Sequence, residues 1–298
     1  MSPKAGRNIC KMNLNTKIKI VSLIIIIVVP LILIFRHREK AEPQTPVVAR
    51  KEIDITIIPG WNLRQVAEDW AKKGIVVKPE YVYELLGEPA YNYAGQHRQA
   101  PVLPLASDAR WDFMFKDKPV GVSYEGYLFP DTYRVYEDAK PEEILEKVFK
   151  HFTDTIDETM RMEIARQGKD LHEILTMASI IEKEVKLNSD RAKVADIMWR
   201  RNKMGWALQV DSSVHYVADR TGDLFTTAEE RKIDSPWNTY KYSGLPIGPI
   251  ANPGLASIKA AIYPEKNDYW YFMTDGSGKI YYGRTLDEHN ANVNRYLR

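Results

Sequence analysis

The stretch LHEILTMASIIEKEV (residues 171–185) predicts a helix with one apolar face. Its apolar residues recur every three or four positions, so at about 100° per residue they form one stripe along the helix. Glu182 falls inside that stripe, whereas Glu173 and Glu184 fall outside its centre, nearer the exposed side. A carboxylate directed into an apolar face is costly unless it is paired or faces a cleft. The stripe consists of Leu171, Ile174, Leu175, Ala178, Ile181 and Val185.

The inward-facing Glu182 has two explanations. Partial burial favours the protonated form of a carboxyl group, which is the form that a general acid needs. Alternatively, Glu182 is a buried structural residue that pairs with an arginine or a lysine. Helical spacing alone does not separate the two.

The region before this helix predicts a small subdomain. Residues 53–57 alternate between apolar and polar side chains, which is typical of a strand. Asn62 is suited to cap a helix that continues to residue 73, a short strand or extended piece follows at residues 75–77, and Pro79 starts a second helix to residue 86. Strand, helix and helix in this order are found in glycan-binding LysM repeats. A packing subdomain without a ligand is the alternative.

The region from residue 120 onward predicts a second domain with both helices and strands. The TDGSG segment at residues 274–278 lies between two apolar stretches and predicts a β-hairpin. The whole is therefore an α+β protein. Further helices are predicted at residues 141–152, up to residue 164, and at residues 191–204.

Composition and motifs exclude several functional classes. The net charge of +2 on 298 residues gives no basic field for nucleic acid. Cys10 is the single cysteine, so neither an intramolecular disulfide nor a multi-cysteine metal site is expected. His172-Glu173 lacks a second histidine at position 176, which is Thr, so the zinc-protease helix is excluded. Neither a P-loop nor a G-x-S-x-G elbow occurs, and we expect no metal and no cofactor.

The N-terminal region predicts a membrane anchor at residues 18–36, most of which are apolar. The charged residues among residues 1–17 are all lysine or arginine, which favours a cytoplasmic N-terminus and an extracytoplasmic remainder. A cleaved signal peptide is the alternative, but no small-x-small site follows closely. The expected organisation is a cytoplasmic segment (1–17), an anchor (18–36), a linker (37–51), a LysM-like subdomain with its connection (52–119) and a catalytic domain (120–298).

Six segments together resemble the endolytic murein transglycosylase family, also described as YceG-like. They occur in the family's order, and the resemblance covers roughly residues 50–298. Trp237 departs slightly from the family pattern, where Tyr is more usual. The segments are EGYLFPDTY (125–133), ASIIEKE (178–184), QVDSSVHY (209–216), SPWNTY (235–240), GLPIGPIANPGLASIKAA (244–261) and TLDEHNANV (285–293).

The resemblance implies an enzyme of the cell membrane that cuts peptidoglycan glycan strands internally and limits their elongation. It assigns the catalytic role to the first Glu of the A-S-I-I-E-K-E motif, which is Glu182. With one essential carboxylate, the 6-hydroxyl of N-acetylmuramic acid attacks its own C1 and leaves a 1,6-anhydro end. Peptidoglycan synthases or division proteins are the partners that the resemblance suggests.

Six further residues are candidates for substrate binding. Gln209 and Asp211 occupy alternate positions of a predicted strand and so share a face, although Asp211 is also suited to cap a helix. Two rival functions stay open: a non-catalytic glycan-binding scaffold, and a hydrolase that uses Asp211 or Glu125 as a second carboxylate. The candidates are Glu125, Gln209, Asp211, Asn238, Tyr240 and Asn252, each with a structural alternative such as a salt bridge or a turn.

Overall fold

Residues 13–38, 50–220 and 225–297 are described by the computed structural model. The chain divides into two units, Met1–Arg50 and Lys51–Arg298. In the first unit, helix α1 (Leu14–Arg38) contains the predicted anchor. No helix in the described part of the chain reaches the length and hydropathy that a bilayer crossing requires. Most of the predicted cytoplasmic segment and of the predicted linker lies outside the described residues.

The second unit begins with strand β1 (Glu52–Thr56), which confirms the predicted strand. It pairs antiparallel with β2 (Thr132–Tyr136), and Ile55 lies opposite Tyr133. The strand pair therefore connects the two predicted domains across residue 120. Both side chains are buried in the shared core, with Ile55 completely enclosed.

Helices α2 (Leu63–Lys72) and α3 (Glu80–Leu86) follow β1, as predicted. Asn62 caps α2 by accepting a hydrogen bond from the Gln65 backbone, and the Gln65 side chain accepts one from the Asn62 backbone. The short strand or extended piece predicted at residues 75–77 does not form, because the chain bends there. Gly74 has a φ of +74°, and the Ile75 amide donates a hydrogen bond to the Trp70 carbonyl at 3.0 Å. These two features end α2 and change the direction of the chain.

Helices dominate the remainder of the unit. The hairpin prediction is confirmed by antiparallel strands β3 (Tyr271–Thr274) and β4 (Ile280–Gly283). The described helices after α3 are α4 (Asp112–Phe115), α5 (Pro141–Thr155), α6 (Glu158–Arg166), α7 (Leu171–Glu184), α8 (Asn188–Lys203), α9 (Asp211–Ala218), α10 (Leu255–Ile262) and α11 (Leu286–Tyr296), with short 3₁₀ segments at Pro104–Ser107, Ala109–Trp111 and Glu230–Lys232.

Helix α7 buries its predicted apolar stripe in the core. Every residue of that stripe is at most 2% exposed. The helix packs against α8, α9 and α10. A second capping box holds its first turn, because the Asp170 side chain and the Glu173 side chain each accept a hydrogen bond from the other's backbone amide.

The strand predicted at Gln209 and Asp211 is wrong. Gln209 has a left-handed φ of +54°, and Asp211 is the first residue of α9. The local alternation of apolar and polar residues is short. Both backbone groups of Val210 bond to side chains rather than to a neighbouring strand, because the Ser213 hydroxyl donates to the Val210 carbonyl and Thr239 Oγ1 accepts from the Val210 amide. The alternative, a helix that begins here, is close to what forms.

Glu125 is a buried brace of α2. It is 2% exposed, and both of its carboxyl oxygens lie 3.0 Å from the Leu63 amide at the first turn of α2. The Tyr216 hydroxyl donates to the same carboxyl at 3.2 Å. Burial raises the pKa of Glu125 to about 7, although the Leu63 and Tyr216 hydrogen bonds act in the opposite direction.

We expect Asn62→Ala to destabilise the protein by about 1 kcal/mol, because the Gln65 amide loses its side-chain acceptor. Urea unfolding of the full chain measures the change. Glu68→Ala, an exposed substitution on the same helix, serves as the control and is expected to change the free energy of unfolding by less than about 0.5 kcal/mol. Equal losses in the two variants would show that the cap contributes nothing.

We expect Glu125→Gln to reduce the pH dependence of stability. The folded protein binds the Glu125 proton more tightly than the unfolded chain, so this stabilisation is complete below pH 4.5 and is lost as the pH rises to about 7. The loss is at most on the order of 3 kcal/mol. Unfolding free energies measured below and above this window should differ less in the variant. The exposed Glu84→Gln serves as the control, and an unchanged difference in Glu125→Gln would refute the assignment.

Candidate active site

A cleft of about 690 Å³ opens beside the C-terminal end of α7. Helix α9, the β3–β4 hairpin and helix α11 form its other walls. The A-S-I-I-E-K-E motif reaches this cleft through its last two residues, Lys183 and Glu184. From α9 come Asp211, Ser212 and His215. Two predicted binding residues, Gln209 and Tyr240, also line it.

Glu184 is the carboxyl group that α7 presents to the cleft. Its residue is only partly buried by surface area, yet dense protein surrounds the carboxyl group. Burial is the largest cause that raises its pKa, and the negative charge of Asp211 adds to it. The Ser212 amide, which donates to Glu184 Oε1 at 3.3 Å, and His215 act in the opposite direction. The balance favours retention of a proton, as a general acid requires.

Asp211 lies in a different environment in the same cleft. The Tyr240 hydroxyl donates to its Oδ1 at 2.8 Å, and the Thr226 hydroxyl donates to the same atom. The Arg231 guanidinium lies 3.8 Å from that oxygen. Hydroxyl donors and a nearby cation stabilise negative charge on a carboxylate. The cleft thus combines a carboxyl group whose pKa burial raises and a second carboxyl group that contacts two hydroxyl groups and lies near an arginine.

Glu182 is engaged in a buried ion pair. Its side chain is 8% exposed, and Arg191 donates to both of its oxygens, at 2.9 and 3.0 Å. Its Oε2 also accepts from the Gly254 amide at 3.0 Å and from the Ser257 hydroxyl at 2.8 Å. The arginine partner that the sequence left open as an alternative is therefore present. These contacts join α7 to α8 and to the start of α10.

Three of the predicted binding residues are buried braces. Besides Glu125, these are Asn238 and Asn252, both 0% exposed. Asn238 donates to the carbonyls of Arg231 and Ile233 and shapes its own turn. The Asn252 amide side chain accepts from the Leu128 backbone and donates to the Trp61 carbonyl, each at 3.0 Å. The structure thus brings Gln209, Asp211 and Tyr240 together and places the other three elsewhere.

Glu184, Ser212 and His215 were not predicted as site residues. The helical stripe placed Glu184 nearer the exposed side, but Glu184 is the last residue of α7 and its surroundings come from α9. The sequence offered one indication of Glu184: it is the second Glu of the E-K-E triplet, two residues after Glu182, which the helical stripe singled out. Ser212 Oγ and His215 Nε2 are buried atoms that no described group hydrogen-bonds.

Comparisons with known proteins agree with this architecture. A profile of the YceG-like family matches residues 38–295. The endolytic murein transglycosylase of Bacillus subtilis (strain 168) is 35% identical over 244 residues, which cover 82% of this chain and 65% of the relative. The endolytic murein transglycosylase of Streptococcus pneumoniae (strain R6) is 29% identical over 269 residues, which cover 86% and 46%. The chain thus spans 65% and 46% of the lengths of these two relatives.

A solved structure gives the same result. The crystal structure of a YceG-like protein from Listeria monocytogenes, at 2.6 Å resolution, superimposes with a TM-score of 0.66 at 33% sequence identity. The match covers 82% of this chain and 76% of that one. The α+β fold, the order of the six sequence segments and the profile match lead to one conclusion: the chain belongs to the YceG-like family.

Proposed function

We propose that this protein is a lytic transglycosylase that cuts the β-1,4 bond between N-acetylmuramic acid and N-acetylglucosamine inside peptidoglycan strands. The observation that carries the proposal is Glu184, a carboxyl group at the wall of a cleft whose pKa is raised by burial. The names of the Bacillus and Streptococcus relatives support the same reaction class. By cutting nascent strands, such an enzyme limits their elongation.

The reaction needs one group that first gives and then takes a proton. Glu184 donates its proton to the glycosidic oxygen, and the bond from that oxygen to C1 of N-acetylmuramic acid breaks. The 6-hydroxyl of the same sugar attacks C1 and returns its proton to Glu184. The products are a free hydroxyl on one fragment and a 1,6-anhydro end on the other. The reaction consumes no water.

We place the acid at Glu184 rather than at Glu182, which the sequence suggested. All described contacts of Glu182 bind its carboxylate: a guanidinium on both oxygens, an amide and a hydroxyl. To protonate a sugar oxygen, Glu182 would have to leave Arg191. Glu184 accepts a hydrogen bond from the Ser212 amide, has no ion pair among the described residues, and lines the cleft.

A second candidate function is a hydrolytic muramidase. The observation in its favour is Asp211, whose charge acts on Glu184 across the same cleft. Two carboxyl groups in one cleft, an acid and a nucleophile or base, are the arrangement that glycoside hydrolysis uses. In this reading Asp211 serves as the nucleophile or the base, and the product carries a reducing end. The two functions differ in their products and not in the identity of the acid.

The proposed enzyme is anchored in the cell membrane by residues 18–36, with the N-terminus in the cytoplasm and the remainder outside. Support comes from the cationic residues before the apolar run and from the many exposed apolar side chains of α1, such as Ile26 and Ile34. An anchor would confine cutting to glycan near the membrane, where synthases and division proteins work. The strand-helix-helix order at residues 52–86 supports a LysM-like subdomain that binds glycan.

Glu184→Gln should abolish cutting, with a loss of at least about 10²-fold, because glutamine keeps the shape of the side chain but cannot transfer the proton. The purified full-length wild-type protein and the variant are each incubated with peptidoglycan, and mass spectrometry measures the fragments. The outcomes for the wild-type protein decide between the two functions. Anhydro ends support the transglycosylase, reducing ends support the muramidase, and intact strands refute both.

Glu182→Gln should destabilise the fold by about 3–5 kcal/mol, because the Arg191 charge loses its partner in a nearly buried site. The double variant Glu182→Gln/Arg191→Met removes both charges and provides the matched control for folding. We expect the folded double variant to cut peptidoglycan. A folded but inactive double variant, together with an active Glu184→Gln variant, would instead make Glu182 the acid.

A further inference from the structure

Two exposed lysines at the cleft have no carboxylate partner among the described residues. Lys183 and Lys186 both line the cleft and are exposed. Among the described residues, Lys183 Nζ contacts only the Gly60 carbonyl, at 3.4 Å, and Lys186 Nζ has no hydrogen bond or ion pair. By contrast, Lys150 and Lys232 each pair with a carboxylate.

The aliphatic part of each side chain is positioned by a glycine. A Cβ atom at Gly278, in the turn of the β3–β4 hairpin, would lie 2.6 Å from Lys186 Cδ. A Cβ atom at Gly60 would lie 3.8 Å from Lys183 Cδ. Each lysine chain therefore passes beside a glycine backbone, and both side chains line the cleft beside α7 and the residues that follow it.

The remaining charges of the cleft do not offset these two ammonium groups. Of the other cationic residues at the cleft, Arg201 donates to backbone carbonyls and Arg220 pairs with Glu230. The acidic residues at the cleft are Glu184, whose pKa is raised by burial, Asp211, which is bound by two hydroxyl groups, and Asp275, whose carboxylate accepts hydrogen bonds within its own turn.

We infer that Lys183 and Lys186 form a binding site for the carboxylate groups of the peptide stems that N-acetylmuramic acid carries. The inference rests on the proposed function and adds a substrate class: strands with anionic stems are bound in preference to uncharged glycan. The two residues are specificity determinants, because they contact the stem rather than the bond that breaks. Attraction between exposed ammonium and carboxylate groups weakens as salt is added, so the preference should decline with ionic strength.

Binding, measured without cutting, tests this inference. The full-length Glu184→Gln protein is titrated against two fluorescent strands of equal length, and anisotropy gives each dissociation constant. One strand carries free stem carboxylates, and in the other the carboxylates are capped as methylamides. We expect the free strand to bind on the order of tenfold more tightly, since two exposed ion pairs form. Adding Lys183→Gln and Lys186→Gln should abolish that preference and leave binding of the capped strand unchanged.

Lys150→Gln and Lys232→Gln, both away from the cleft, form the matched control and should keep the preference. Equal binding of the two strands before any lysine is changed would overturn the inference, as would a preference that survives the cleft substitutions. Cutting by the wild-type protein is measured separately on both strands. Failure to cut therefore counts against the proposed function, whereas failure to distinguish the strands counts against the lysine site.

Discussion

The ion pair between Glu182 and Arg191 organises the region around the cleft. It joins the last turn of α7 to the first turn of α8, and the Gly254 amide and the Ser257 hydroxyl add the start of α10. Three helices thus converge on one carboxylate. A charged pair that is almost fully removed from water is stable only when its hydrogen bonds are satisfied, and here both carboxylate oxygens are bound. The position of the E-K-E segment at the cleft depends on this junction.

The two glutamates of that segment have different surroundings because Glu182 lies within the last turn of α7, whereas Glu184 is its last residue. Glu182 still follows the helical stripe and faces the core, where a guanidinium meets it. Glu184 is the final helical residue, and α9 rather than α10 determines its surroundings. Two residues along a helix amount to about 200° of rotation, which is enough to separate the carboxylate that Arg191 binds from the carboxyl group at the cleft.

The sequence predicted those parts of the fold that depend on local patterns. The stripe of α7, the Asn62 cap and the TDGSG turn each contain their own signal within a few residues, and each formed as expected. Contacts between distant segments were not accessible in this way. Pairing of β1 with β2 and the placement of Asp211 beside Glu184 depend on packing that no local period reports. For the same reason Glu125 and Asn252, which look like polar site residues, proved to be internal braces.

The Asn252 brace bears on how such proteins recombine during evolution. Asn252 binds the Trp61 carbonyl through both its backbone and its side chain, while its own carbonyl accepts from the Gly60 amide. These hydrogen bonds join the segment that begins with β1 to the loop before α10, which is remote in sequence. A segment exchanged between homologues must therefore include both of these regions if the hydrogen bonds between them are to be kept. Chimeras joined at a single crossover near residue 120 would combine the Trp61 region of one parent with the Asn252 loop of the other.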